Sequence, residues 1–266
     1  MTIDNRLLAA LPPEELERLM PHLELVPLER GHVIQDVERP IAGVHFPVDG
    51  VISVLSVMTD GTAVETATIG KEGMDGMSVF HGVDVTPEHH FVQVPGMAYR
   101  MESKRLRELL PQCPALVASL HRYAVALFTL AAQTSGCNRM HSMGQRCARW
   151  ILMVHDRVGR DEFELTQLIL SQMLGVRRAT VTEAALELQR AGAIDYTRGR
   201  VTVVNRRTLE GASCECYAII RSTFDRLLGT DGEVTPSPLA QVSVSDGGRS
   251  TAKGGAPDAG AALSSG

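Results

Sequence analysis

The spacing of hydrophobic positions changes several times along this chain, and each change marks a different kind of element. Between Leu7 and Leu25, the apolar residues Leu8, Leu16, Leu19, Met20 and Leu23 recur at helical intervals and predict one or two short helices. From Leu28 to about Met101 the pattern turns to short β-branched runs at Gly31–Ile34, Ala42–Val48, Gly50–Met58, Ala63–Ile69 and His90–Val94. Asp49-Gly50 and Asp60-Gly61 lie between such runs, and an Asx-Gly pair flanked by alternating apolar residues predicts a hairpin. Several short strands at close spacing predict a sandwich or roll.

Helical spacing then returns. Ser103 is read as the N-cap of a helix presenting Leu106, Leu109 and Leu110, which Pro111 and Pro114 interrupt. A long helix follows from Ala115 to about Gly136. Leu116, Leu120, Tyr123, Leu127 and Leu130 form one stripe, while the reverse side carries Val117, Val125 and Phe128. A helix apolar on more than one face needs more than one partner surface. Two readings follow: one side on the sheet and the other on a second copy, or a core helix within a monomer. The remaining elements are a helix from Ser142 to Val158 ended at Gly159, a helix, a tight turn, a helix, a hairpin around Arg198-Gly199, and a last helix from Arg207 to Leu228. Gly229 to Gly266 holds almost no large apolar residues and reads as a flexible tail.

Composition adds charge asymmetry to this picture. The net charge of −5 argues against a nucleic-acid partner until the chain is divided. Residues 1–138 carry 10 Lys/Arg against 17 Asp/Glu, whereas residues 139–229 carry 14 against 10, and all 14 cations there are arginines. Arginine suits bidentate contact with phosphate and guanine edges. The acidic N-terminus lacks the features of a signal peptide, and no run reaches the roughly 18 apolar residues of a membrane span, the longest candidate being Ala124–Ala132. A cytoplasmic protein without a membrane partner is expected. Cys113, Cys137, Cys147, Cys214 and Cys216 are read as reduced thiols, because no further ligand follows the Cys214-Glu-Cys216 pair; no metal site is expected.

The most informative stretch runs from Leu165 to Arg190. Thr166 caps a helix ending near Leu174, Gly175 supplies the left-handed turn, and Val176 packs inward. Arg177 and Arg178 open the next helix, with Val181, Ala185 and Leu188 on its inner stripe. Arg178, Ala179, Thr182 and Glu183 then lie on the outer face, where a helix-turn-helix meets the major groove. Basic residues at a helix N-terminus oppose the macrodipole and so point to an external anion. Arg198 and Arg200 beside Gly199 add a basic wing.

The chain resembles the Crp/Fnr family of bacterial transcription regulators from about Leu7 to Leu228. The resemblance is carried most by Leu174-Gly-Val-Arg-Arg-Ala-Thr-Val181, with Gly31–Ile34 and Val48–Val51 similar to the family's β-roll turns. It implies an α+β fold: a β-roll sensor (a double-stranded β-helix, jelly-roll-like) over residues 1–113, a dimerisation helix over 114–138, a winged helix-turn-helix over 139–229 and a tail over 230–266. It also implies a homodimer through Leu116, Leu120, Tyr123 and Leu127 on a palindromic operator of double-stranded DNA, with RNA polymerase left open as a further partner. By position, Arg178 matches the guanine-gripping arginine and Thr180 the phosphate-contacting threonine. Ala179 stands where many members carry a base-reading glutamate, which puts the usual half-site in doubt, and Glu183 falls at another base-reading position.

The same resemblance directs attention to an effector pocket, at Lys71, Gly76, Met77 and His89. Gly76-Met77 stands where nucleotide-binding members carry Gly-Glu, and Glu88-His89 where they carry Arg-Ser or Arg-Thr. A carboxylate where a cyclic phosphate would sit is repulsive, so cyclic nucleotide is not expected. An iron–sulfur cluster is not supported, since no cysteine precedes Cys113. Haem is not supported either, since nothing singles out one of His81, His89, His90, His121 and His141. Another small ligand, a redox signal at Cys113, Cys137 or Cys147, and control by abundance stay open. A cyclic-nucleotide-dependent binding module without DNA function is the alternative reading. No enzyme is expected, because no Walker loop, G-x-S-x-G, H-E-x-x-H or G-x-G-x-x-G occurs.

Overall fold

The structure is a computed structural model that describes residues 3–229 and 238–239; the expected tail otherwise lies outside the described residues. Two short helices open the chain, α1 (Arg6–Ala9) and α2 (Pro13–Leu19). Seven strands follow: β1 (Glu24–Leu28), β2 (Val33–Gln35), β3 (Gly43–Pro47), β4 (Val51–Val57), β5 (Ala63–Ile69), β6 (Glu88–Val94) and β7 (Gly96–Glu102), with helix α3 (Met77–Phe80) between β5 and β6. They form two antiparallel sheets, ordered β1-β7-β3 and β2-β6-β4-β5. Leu28 and Ala98 from one sheet pack against Ile52, Val54, Ile69 and Val92 from the other, which makes the unit a roll with an apolar interior.

One of the two expected hairpins is a hairpin. Asp60-Gly61 joins β4 to β5, which pair with each other. Asp49-Gly50 instead carries the chain from one sheet to the other, because β3 pairs with β7 and β4 with β6. Tertiary contact decides this corner. Asp49 Oδ1 accepts the Met97 N–H at 2.7 Å, and Gly50 (φ +85°) lies so close to Val94 and Gly96 that a Cβ there would sit 2.7 Å from the Val94 carbonyl oxygen.

The roll closes with α4 (Ser103–Leu109). Ser103 is the first residue of this helix and not its cap; its hydroxyl donates to the Ile41 carbonyl at 2.5 Å. The long helix α5 (Pro114–Met140) then crosses the molecule. As formed, it is long and apolar enough to span a membrane by length and composition, with a mean hydropathy of 1.5, although no single run of its sequence suggested this. In this fold one of its apolar stripes is covered by the protein. Leu116, Leu120, Tyr123, Ala126 and Leu130 are buried within the protomer.

The second half contains α6 (Met143–Val158), β8 (Glu162–Glu164), α7 (Gln167–Leu174), α8 (Arg178–Arg190), β9 (Ile194–Thr197), β10 (Arg200–Val203), α9 (Arg206–Ala212) and α10 (Cys216–Leu228). Ser142 and Gln145 form a capping box on α6, and Gly159 ends that helix at φ +64°. The single last helix expected from Arg207 is two helices, broken at Ser213–Glu215, and α10 returns along α5 with Phe224 set edge-on to Tyr123. Helix α6 fastens this half to the roll. One side of it sends Trp150 Nε1 to Glu65 Oε1 at 2.7 Å and Arg157 Nε to Glu72 Oε1 at 2.8 Å.

Candidate nucleic-acid interface

Local chemistry explains how the two helices α7 and α8 are set. Thr166 Oγ1 accepts the Ile169 N–H at 3.2 Å and starts α7. Gly175 ends it at φ +64°, and Arg146 Nη2 donates to the last-turn carbonyl of Leu174 at 2.6 Å. Helix α8 begins two residues after the turn glycine's successor, Val176, and buries Val181, Ala184, Ala185 and Leu188. Its first turn holds no acidic residue, and its N-cap, Arg177, makes no side-chain cap. The positive end of the helix dipole therefore carries two further positive charges, an arrangement that favours an anion from outside.

The expected contact residues take different positions around this end. Arg177, Arg178, Ala179 and Glu183 are exposed, while Thr180 and Thr182 are half-buried, and the Thr182 hydroxyl donates to the Arg178 carbonyl at 3.0 Å. Strands β8, β10 and β9 form the wing. Its tip is the two-residue turn Arg198-Gly199, with φ of 51° and 78°, the both-positive geometry of a tight hairpin turn. Arg198 is exposed at that tip and, like Arg177 and Arg178, makes no ion pair among the described residues. Arg200 differs. It is held by Glu162 at 2.7 Å and Glu164 at 3.9 Å, so its charge is already answered within the wing. Arg178 and Arg198 face each other across a cleft of about 410 Å³ also lined by Thr166, Gln167, Tyr196 and Gly199. Sequence reasoning passed over Gln167 and Tyr196. The Thr166 cap was the signal that would have put Gln167 in the first turn of α7, whereas Tyr196 reaches the cleft only through the pairing of β9 with β10. Its hydroxyl is buried without a hydrogen-bond partner, and burial pushes its pKa up to about 12.

The effector residues expected from the sequence do not converge. Lys71 lines a cleft with Arg6, Asp156, Arg157 and Tyr217. Gly76 backs onto Val44, with φ +92°, and Met77 packs half-buried against the core. His89 stands apart, paired with Asp36 at 3.1 Å and stacked on Phe91. The polar centre of the roll is instead Asp75, which is fully buried. Its Oδ1 meets His90 Nδ1 at 2.6 Å and its Oδ2 accepts from Gln35 Nε2 at 2.6 Å, while His45 Nδ1 lies 3.7 Å away, beyond hydrogen-bond reach. Burial works against a charged His90, but the Asp75 carboxylate outweighs it and raises its pKa to about 9. His90 and, second, His45 likewise outweigh the burial of Asp75 and hold its carboxyl well below the usual range.

A second buried carboxyl, Glu65, sits between the two halves. Burial raises its pKa to about 7 against the hydrogen bonds from Ser53 and Trp150. The geometry agrees with a protonated acid. Ser53 Oγ lies 2.8 Å from Glu65 Oε2 and 2.9 Å from Gln93 Oε1, and its single proton can serve only one of them. A proton on Glu65 lets Glu65 donate to Ser53 and Ser53 to Gln93, whereas the Gln93 amide turned over, bringing its partnerless Nε2 to Ser53, serves the ionised form.

The dimer-facing assignment on α5 is corrected by burial. Leu116, Leu120 and Tyr123 are fully buried in their own protomer and Leu127 is partly buried, because α10 and the roll cover that stripe. The side left open carries Val125 and Phe128, which are 55% and 75% exposed. The expectation that Cys214 and Cys216 lack partner ligands is corrected as well. The break between α9 and α10 brings both against Cys137 and His141, which lie upstream and not downstream.

Comparison with known proteins fits this geometry. Residues 145–212 match the model of the Crp-like helix-turn-helix domain, which runs from α6 through the wing to α9. No curated relative matches the chain by sequence. Among solved structures, FixK2 from Bradyrhizobium japonicum is 14% identical, with 72% of this chain and 98% of that one covered and a TM-score of 0.62. The c-di-GMP-responsive global regulator CLP of Xanthomonas campestris is 13% identical over 73% of this chain and all of that one, at 0.59. TTHB099, a transcriptional regulator of the CRP family from Thermus thermophilus, is 16% identical over 72% and 99%, also at 0.59. These likenesses establish the fold, and the matched domain establishes the helix-turn-helix. Residues 145–212 are a Crp-like helix-turn-helix domain, and the chain as a whole is similar in fold to transcriptional regulators of the CRP family.

Proposed function

We propose that this chain is a Crp/Fnr-type transcription regulator that acts as a homodimer in the cytoplasm, reads a palindromic operator through α8, and is not controlled by cAMP. The observation that carries the reading is the set of three exposed, unpaired arginines, Arg177, Arg178 and Arg198, at the N-terminus of α8 and the tip of the wing. Arg178, Ala179, Thr182 and Glu183 face base edges, with Arg178 the residue suited to guanine. Arg177, Thr180 and Arg198 contact phosphate, and Arg200, already paired, adds little. The open stripe of α5 at Val125 and Phe128 supports a second copy as the partner of that helix, since a symmetric partner presents the same stripe.

Independence from cAMP is supported by the charge inside the roll. A cyclic phosphate needs an available cation or free N–H donors. His90 is committed to Asp75, and Lys71 lies in a different cleft. Selection of the purified protein on a pool of random duplexes, without added ligand, tests the proposal. A two-fold symmetric consensus is the expected outcome. Weak, salt-sensitive binding without enrichment would contradict it.

A further inference from the structure

Four metal-binding side chains outside the DNA interface meet where α5 ends. Cys137 is in the last turns of α5 and His141 is its C-cap, one helical turn on. Cys214 lies in the break before α10 and Cys216 is the first residue of that helix, with Glu215 between them. The ligand atoms of all four lie within 4.8 Å of one another. Cys137 Sγ is 3.5 Å from Cys214 Sγ, and Cys216 Sγ is 3.5 Å from His141 Nδ1. A tetrahedral ion with sulfur ligands at about 2.3 Å sets them about 3.8 Å apart, so these atoms already stand near the corners such an ion requires.

The surroundings fit a bound cation complex. His141 turns Nδ1 to the cysteines and places Nε2 3.1 Å from the Glu215 carboxylate, the orienting contact that metal-bound histidines make with their second nitrogen. Gln133 Nε2 lies 3.1 Å from Cys216 Sγ and donates to it. Arg149 is 3% exposed, its Nε has no partner, and its one hydrogen bond is to Met153 Sδ. Arg146 beside it is also buried, and no carboxylate lies within ion-pair distance of either arginine among the described residues. Two buried cations with no carboxylate in ion-pair contact, Glu65 acting on Arg149 only from farther away, favour negative charge nearby. Three thiolates and a neutral imidazole around a divalent ion carry a net charge of minus one.

We propose that Cys137, His141, Cys214 and Cys216 form a closed, four-coordinate site for one zinc-class divalent cation, which clamps the start of α10 to the end of α5. Each binding event releases the thiol protons and the ion's water ligands to solvent and forms three metal–sulfur bonds and one metal–nitrogen bond in place of the metal–water bonds; no electrons move. All four positions are filled by protein, so the site is structural and not catalytic. It fixes the last helix of the DNA-binding half against the long helix at the joint between the halves. A cluster of several irons is disfavoured by the same distances, since thiolates on separate irons stand farther apart.

The test is metal analysis of the full chain, purified under reducing conditions. About one zinc per chain is expected, falling to under about a tenth in Cys214→Ser and Cys216→Ser and unchanged in Cys113→Ser, whose thiol is buried elsewhere in the core. Cobalt added to the metal-free wild-type chain is expected to give the intense visible bands of a tetrahedral thiolate complex, a readout that does not depend on how the variants fold. Metal-free protein that takes up neither zinc nor cobalt would overturn the proposal. So would a Cys137–Cys214 disulfide that forms equally fast with and without zinc, or acid-labile sulfide in the purified chain.

Discussion

The two halves of this chain treat charge in opposite ways. In the roll, ionisable groups are turned inward and satisfied by one another: Asp75 with His90 and Gln35, and Glu65 with Ser53 and Trp150. Around α8 and the wing, Arg177, Arg178 and Arg198 are turned outward and left unsatisfied. Charge that is answered inside the protein contributes to its stability, and charge left unanswered at the surface is available for a ligand. The roll should therefore lose stability when its charges are altered, and the DNA-reading half should lose affinity.

Asp75→Ala sharpens this contrast most. It leaves His90 buried without its partner, and a loss of about 3–5 kcal/mol in denaturant unfolding is expected, with DNA affinity unchanged for the molecules that remain folded. Leu120→Ala follows, at about 2–5 kcal/mol. Phe128→Ala, on the open side of the same helix, is expected to leave protomer stability within about 0.5 kcal/mol but to weaken self-association in sedimentation. An intact dimer in Phe128→Asp would place the interface elsewhere.

Acidity probes the buried carboxyl at the joint. Glu65 binds its proton more tightly in the folded chain than in the unfolded one, so stability is expected to fall as pH rises from about 4.5 to about 7 and then to stop responding to this group. His90 has the same sign at higher pH: its contribution is complete below about 6.5 and lost as pH rises through about 9. Glu65→Gln should flatten the first window and leave the second. The smallest effect contrasts the two wing arginines. Arg198→Ala should reduce the salt dependence of DNA binding by about one phosphate contact, and Arg200→Ala should change it less, because Glu162 and Glu164 already hold that guanidinium.

The same contrast explains what could be read from the sequence. The helix-turn-helix is specified by neighbours in the chain: Thr166 as cap, Gly175 as the left-handed turn, and Arg198-Gly199 as the wing tip. The roll and the joint are specified by partners far apart. Asp49-Gly50 has the local signature of a hairpin, yet Met97 and Gly96 make it a corner between sheets. The two stripes of α5 are similarly apolar, and only α10, arriving far later in the chain, settles that Leu120 faces inward and Phe128 outward. Cys137 and Cys214 are separated by 77 positions, so no spacing rule joins them.

The most direct measurement is the affinity of wild-type and Arg178→Ala protein for a selected palindrome and for a scrambled duplex, at one fixed salt concentration. Arg178 as a base reader is expected to make the variant lose about 1–3 kcal/mol on the palindrome, with little change on the scrambled duplex. Equal losses on both would show that α8 does not read sequence through this residue.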